Sequence, residues 1–82
     1  MGASIIAAII AALELTNTIF QGSNDKKKKE HAVRAKDIAL LLKKETLKPM
    51  EEWIHSDIEL WTAEAMVLIP LASAEVKAYA NK

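Results

Sequence analysis

Residues 2–20, GASIIAAIIAALELTNTIF, are the stretch that decides the fold, because a segment this apolar is not stable in contact with water. On a helix, its alternating pairs place one line of small residues beside one line of large ones. The small line is Ala3, Ala7 and Ala11, and the large line is Ile5, Ile9 and Leu13. Small residues permit close approach of a second helix. The segment is apolar on all sides as far as Leu13, so we expect a helix that is covered all round.

Three interpretations compete for this segment. A membrane span requires about 20 mainly apolar residues, but extension past Leu13 places Glu14 in the bilayer, at a cost of roughly 2.5–3.5 kcal/mol. A cleavable signal peptide is not predicted, because no Lys or Arg precedes Ser4 and no small-x-small cleavage site follows Phe20. A core helix of an oligomer fits the length best. We therefore predict contact with other chains, or with a membrane in the alternative, through Ala3, Ile5, Ile6, Ala7, Ile9, Ile10, Ala11 and Leu13.

The length and composition of the chain indicate one small helical domain. A chain of 82 residues buries only about 60–65% of its unfolded surface by itself. We therefore expect it to form an oligomer or to dock on a larger partner. Strong helix formers carry the hydrophobic half of the sequence, and only 5% of the residues are aromatic. The absence of cysteine excludes disulfides and thiolate metal sites.

A turn and a second helix follow the apolar segment. Residues 21–25, QGSND, form the predicted turn, in which Gly22 is suited to end the first helix and Asp25 is one candidate to cap the second. The second helix is predicted from about Lys26 to Leu47.

Two prolines divide the remainder of the chain. Pro49 is followed at once by Met50 and two acids, which is typical of a helix start. Whether Pro49 reverses the chain or only bends one long helix is left open, and Pro70 predicts a kink or break. We therefore expect an all-α chain of three helices, with segments 1–20, 21–25 and 26–82, the last interrupted near residues 49 and 70.

Charge is segregated between the second and third helices. Residues 26–48 hold nine basic and three acidic side chains, a net charge of +6, whereas residues 50–75 hold six acidic side chains and no Lys or Arg, a net charge of −6. Two such helices would pair favourably as an antiparallel hairpin or between neighbouring copies. We predict that the helices meet along an apolar seam formed by Ile38, Leu42, Ile54, Ile58, Trp61 and Leu68.

Reactive side chains form no pattern that predicts catalysis. Glu52 and His55 match the Glu-x-x-His spacing of di-iron helical bundles, but both are expected on the polar side of the third helix, away from the seam. His31 has no sequence partner that would make it a base. We therefore expect no catalytic residue, no metal, no cofactor and no small-molecule substrate.

Function is expected to follow from assembly. The leading interpretation is a non-enzymatic structural subunit that packs through its N-terminal helix into a homo-oligomer or a larger complex, such as a component of a virion or a membrane complex. The alternative is a membrane-associated or membrane-inserting protein, and the second alternative is nucleic-acid packaging. Both alternatives use the same cluster to contact anionic headgroups or phosphates, namely Lys26, Lys27, Lys28 and Lys29. The expected location is within an assembly or at a membrane.

Overall fold

A computed structural model describes residues 3–80 and confirms the all-helical, three-helix prediction. The helices are α1 (Ala3–Gln21), α2 (Lys26–Thr46) and α3 (His55–Ala80), and a single 3₁₀ turn at Met50–Glu52 precedes α3. Each helix packs against the other two, and the described chain measures 47 × 21 × 16 Å along its principal axes. Because both connections are short, the chain runs up, down and up again, which makes α1 parallel to α3 and antiparallel to α2.

One face of α1 enters the core of the chain itself. The buried residues are Ile6, Ile9, Leu13, Thr16 and Phe20, at alternating spacings of three and four. The expectation of a helix covered all round is not met within the chain, because three helices bury only the side of each that faces the common axis. Ile6, Ile9 and Leu13 therefore pack in the core of the chain itself, which corrects the predicted contact surface, although Ile9 also lines a groove beside α1. Ala3, Ile5, Ala7 and Ala11 remain exposed, and Ile10 is half-buried.

The N-terminus of α2 is held by Asp25. Its carboxylate accepts hydrogen bonds from the amide groups of Lys27 and Lys28, at 2.8 and 3.3 Å. This acid satisfies two of the amides that a helix start leaves without partners, and it partly offsets the unfavourable lysines of the first turn. Asp25 was one predicted candidate for this cap, and the structure confirms it.

The chain reverses at Pro49, which settles the alternative that the sequence left open. After the 3₁₀ turn, Trp53 is extended, with φ −67° and ψ 138°. Its indole N–H donates to the carbonyl of Lys48 at 2.8 Å, which closes the turn. The third helix therefore begins at His55 and not at Met50 as predicted. Ile54 lies in this turn with 47% of its surface exposed, so it does not belong to the predicted seam.

Of the kink or break predicted at Pro70, the break is not present. α3 is one helix of 26 residues that continues through Pro70. Pro70 and Met66 are both exposed. Because proline has no amide hydrogen, the Met66 carbonyl lacks its usual helical donor. The buried residues Leu68 and Ala72 lie on the opposite side of α3, and their packing holds the helix together across the proline.

The core is mainly aliphatic, and its buried threonines are satisfied within their own helices. It includes five of the six predicted seam residues, of which Ile38, Leu42, Ile58 and Leu68 are buried and Trp61 is partly buried. The two buried threonines each donate their hydroxyl to a carbonyl four residues earlier in the same helix, Thr16 at 2.8 Å and Thr62 at 2.9 Å. Apolar burial is therefore the main source of stability of the fold.

Candidate interaction surfaces

The side of α1 that points away from the core forms an uncharged surface, here called the α1 face. It consists of Ala3, Ala7, Ala8, Ala11 and Leu15, all of which are exposed. The only charged residue between positions 3 and 23 is Glu14, and it forms an ion pair with Lys43 of α2, with 2.6 Å between Oε1 and Nζ. The acid is thus drawn toward α2, and the α1 face consists of small side chains with Leu15 as its one large one.

A groove runs along the α1 face where α1 meets α3. Its volume is about 460 Å³, and it is lined by Ser4, Ile5, Ala8, Ile9, Ala12, Met66 and Ile69. Ser4 is the only lining residue with a polar side chain. Of the lining residues, Ile5 and Met66 are more than half exposed. The uncharged surface therefore continues from α1 onto α3.

A second uncharged surface, here called the α3 stripe, lies on the side of α3 opposite its core residues. It consists of Leu60, Ala63, Val67, Pro70, Leu71 and Ala74, all of which are exposed. The sequence predicts the buried seam of α3 but not this stripe. The signal that would have revealed it is a second alternation of three and four, through residues 60, 63, 67, 70 and 74.

The lysine cluster is not one uniform basic patch. Lys26, Lys27 and Lys29 are exposed, whereas the Lys28 ammonium lies 2.8 Å from the carboxylate of Glu75 on α3. The hydrogen bond to Glu75 raises the pKa of Lys28. Considering residues 3–80, three lysines are therefore free to meet an anionic partner, and the fourth helps to attach α2 to α3.

Opposite charges connect α2 to α3, as the charge segregation predicted. Besides the contact of Lys28, the Arg34 guanidinium binds the Glu64 carboxylate through two hydrogen bonds, from Nε at 2.6 Å and from Nη2 at 2.7 Å. The hydrogen bond from Arg34 lowers the pKa of Glu64, and the same bond raises the pKa of Arg34. Because the pair is partly exposed, its main effect is to fix the register of the two helices.

Glu45 is the one buried acid among the described residues, and it connects the end of α2 to the start of α3. Its carboxylate accepts hydrogen bonds from the Ile54 amide at 2.8 Å and from the Lys48 ammonium at 3.1 Å. The Ile54 amide, followed by the Lys48 ammonium, lowers the pKa of Glu45. Sequence reasoning did not identify this role, because Glu45 lies in a basic segment and its main partner is nine residues away.

Acidification is expected to destabilise the fold through Glu45 and Glu64. Both carboxyl groups have lower pKa values folded than unfolded, so they stabilise the fold above the pKa of an unfolded glutamate. As pH falls from that value through the folded pKa values, the unfolded chain binds more protons, and stability falls. We expect the urea midpoint to decrease between about pH 6 and about pH 3. The decrease should be smaller in Glu45→Gln than in the wild type.

Glu51→Gln is the matched control for this measurement. Glu51 lies in the same turn, but it is exposed and takes part in no ion pair among residues 3–80. Its replacement should leave the decrease as in the wild type. Equal decreases in the two variants would show that Glu45 does not hold the turn.

Histidines and acids do not converge within the described residues. Among residues 3–80, no three His, Cys, Asp or Glu side chains lie close enough together to hold a metal ion. Glu52 is part of the 3₁₀ turn and His55 is the first residue of α3, and both are exposed. The His31 ring packs against Phe20, with 5.6 Å between the ring centroids. His31 therefore closes one end of the core.

Within residues 3–80, α1 is the one helix that is long and apolar enough to cross a membrane. It has 19 residues and a mean hydropathy of 1.8, and 28% of this window is buried inside the chain. The exposed lysines Lys26, Lys27 and Lys29 follow directly after the turn that ends α1. These features alone are shared by membrane helices and by core helices of water-soluble assemblies.

Comparisons with known proteins identified no relative of this chain. No family model matches it, no curated protein matches it, and no solved structure matches it. The functional proposal therefore depends on the surfaces described above.

Proposed function

We propose that this chain is a non-enzymatic structural subunit that packs through its N-terminal helix into a homo-oligomer or a larger protein complex, such as a virion or a membrane complex. The observation that carries the proposal is the α1 face together with the adjoining groove. Apart from Ser4, this surface is formed by apolar side chains, and Glu14, the one charged residue of α1, is paired with Lys43 of α2. Monomeric proteins rarely expose a continuous apolar surface of this kind without a partner.

The shape of the α1 face suits another helix. Ala7, Ala8 and Ala11 allow a second helix to approach at the short end of the usual 8–10 Å interaxial distance. Leu15 projects beside them as a large side chain, and the groove next to Ile5 offers a place for a large side chain of the neighbour. Close approach combined with interlocking side chains is the geometry that stabilises helix pairs.

The two acids with lowered pKa values, Glu45 and Glu64, support a structural and not a catalytic role for the chain. The lowered pKa values of Glu45 and Glu64 arise from hydrogen bonds that attach α2 to the turn and to α3. Neither carboxylate lines the groove beside α1. The hydrogen bonds of both carboxylates thus hold the helices together.

Two single substitutions, each of which introduces a glutamate on a different helix, test the proposal. Leu15 on α1 and Val33 on α2 are both 61% exposed, so a glutamate at either position should leave the fold intact. By sedimentation velocity, we expect the wild type and Val33→Glu to form the same defined oligomer and Leu15→Glu to form a smaller species. Circular dichroism would establish equal helicity. A wild type that is monomeric at all concentrations, or an unchanged Leu15→Glu, would contradict the proposal.

Membrane association is the second candidate, favoured by the hydropathy of α1 and by the lysines that follow it. The same variants distinguish it when they are floated with vesicles that contain anionic lipid. If the α1 face lies on a bilayer, the wild type and Val33→Glu should float and Leu15→Glu should not. Without lipid, the wild type and Leu15→Glu should then form the same species. An assembly subunit gives the reverse pattern, with no flotation and a lipid-independent oligomer.

A further inference from the structure

We propose that a second copy of this chain docks on the α3 stripe in antiparallel orientation, which gives a two-fold symmetric dimer. This interface goes beyond the proposed function, because it uses α3 and leaves the α1 face free for further contacts. Two separate faces on one subunit would allow dimers to join into a larger array.

The spacing of the α3 stripe is that of a helix-pairing seam. Its positions 60, 63, 67, 70 and 74 alternate steps of three and four, the pattern that keeps one line of side chains toward a neighbouring helix. The buried residues of α3, such as Ala65 and Leu68, follow the same alternation on the opposite side and pack against α1 and α2. Thus α3 carries two seams, of which the chain itself covers one. On the other, Leu60 is 61% and Val67 is 63% exposed.

The charges beside the stripe indicate a second copy as the occupant. Between Leu60 and Ala74 the only charged residue is Glu64, and Arg34 of α2 holds it to one side. Glu59 and Lys77 flank the stripe at its two ends. They are 18 residues apart, which is about five helical turns, so they lie on the same side of α3. Both are exposed, and neither forms an ion pair among residues 3–80.

A two-fold axis near residue 68 makes these charges complementary. In an antiparallel pair, Glu59 of each copy meets Lys77 of the other, and Val67 of each copy lies next to the axis. A parallel pair would instead place the two Glu59 side chains at one end and the two Lys77 side chains at the other, so that no Glu59–Lys77 contact forms. The charges thus select the antiparallel dimer. A bilayer with anionic headgroups is a poorer occupant, because Glu59 and Glu64 border the stripe.

The test uses the full chain carrying Leu15→Glu as the parent, so that association through α1 does not contribute. Sedimentation equilibrium is expected to show a dimer for this parent. Val67→Glu should weaken the dimer at least about 100-fold, since it places two buried carboxylates beside the axis. A dimer that is unchanged by Val67→Glu, or a parent that is monomeric at every concentration, overturns the proposal.

Charge exchange tests the orientation. Glu59→Lys and Lys77→Glu should each weaken the dimer about tenfold, because each creates two repulsive pairs. The double variant should recover the affinity of the parent, and so should an equimolar mixture of the two single variants. A loss of monomer stability would not be repaired by mixing. Failure of either recovery overturns the antiparallel arrangement. Failure of the α1 proposal is recognised separately, when the wild type and the Leu15→Glu parent form the same species.

Discussion

Replacement of Leu13 by alanine is expected to lower the free energy of unfolding by about 2–5 kcal/mol, while the same replacement at Leu15 changes it by less than about 0.5 kcal/mol. Leu13 is fully buried at the centre of the three helices, whereas Leu15, two residues away on the same helix, is 61% exposed. The larger loss combines the lost transfer energy of the side chain with the cavity left behind. Because the free energy of unfolding of small domains is about 5–15 kcal/mol, Leu13→Ala is expected to remove a large part of it.

Urea unfolding at low protein concentration measures both variants. The pair is matched in residue type, helix and chemical change, so a difference between them reports burial alone. Equal losses of stability would mean that the side of α1 carrying Ile6, Ile9 and Leu13 does not face the core. Such a result would favour an α1 that leaves the bundle, as membrane insertion requires.

Replacement of Pro70 by alanine is expected to raise the free energy of unfolding, by up to about 3 kcal/mol. Alanine restores the amide that the Met66 carbonyl lacks, and it removes the clash of the proline ring with the preceding turn. Pro70→Gly also restores the amide, but glycine should recover about 1 kcal/mol less than alanine. The expected order of stability is therefore alanine, then glycine, then proline.

Thermal and urea unfolding in a Val67→Glu background would measure this order without a contribution from association on the α3 stripe. If Pro70→Ala is less stable than its parent, the proline is better accommodated than a helix interior normally allows. The continuous α3 would then require a local distortion at residues 66–70.

The sequence predicts the number of helices and the first turn, because local signals determine both. Gly22 marks the end of α1 and Asp25 marks the start of α2. The structure places both boundaries close to the predicted positions. At Pro49 the local signal is ambiguous, since proline precedes helix starts and bends long helices alike. The indole of Trp53 and the buried carboxylate of Glu45 close that turn. Their contacts depend on the chain having already reversed, so no local pattern contains them.

The candidate surfaces were only partly predictable, for a different reason. α1 is apolar on every side up to Leu13, so periodicity alone does not choose its core face. Polar residues further along decide it, because Glu14 and Thr18 are exposed on the side opposite Phe20. α3 poses the same problem between residues 60 and 74, where the sequence predicts the buried seam but not the α3 stripe.

The up-down-up order of the helices also has a kinetic consequence. Each helix packs against the next one along the chain, so most of the core is formed by closing short loops. Chains with such local contacts fold in microseconds to milliseconds, whereas structures that join distant segments take far longer. Speed is valuable for a chain with two uncharged surfaces, since partly folded molecules that expose apolar helices aggregate. Rapid closure leaves little time for α1 to meet the wrong partner before its own core is complete.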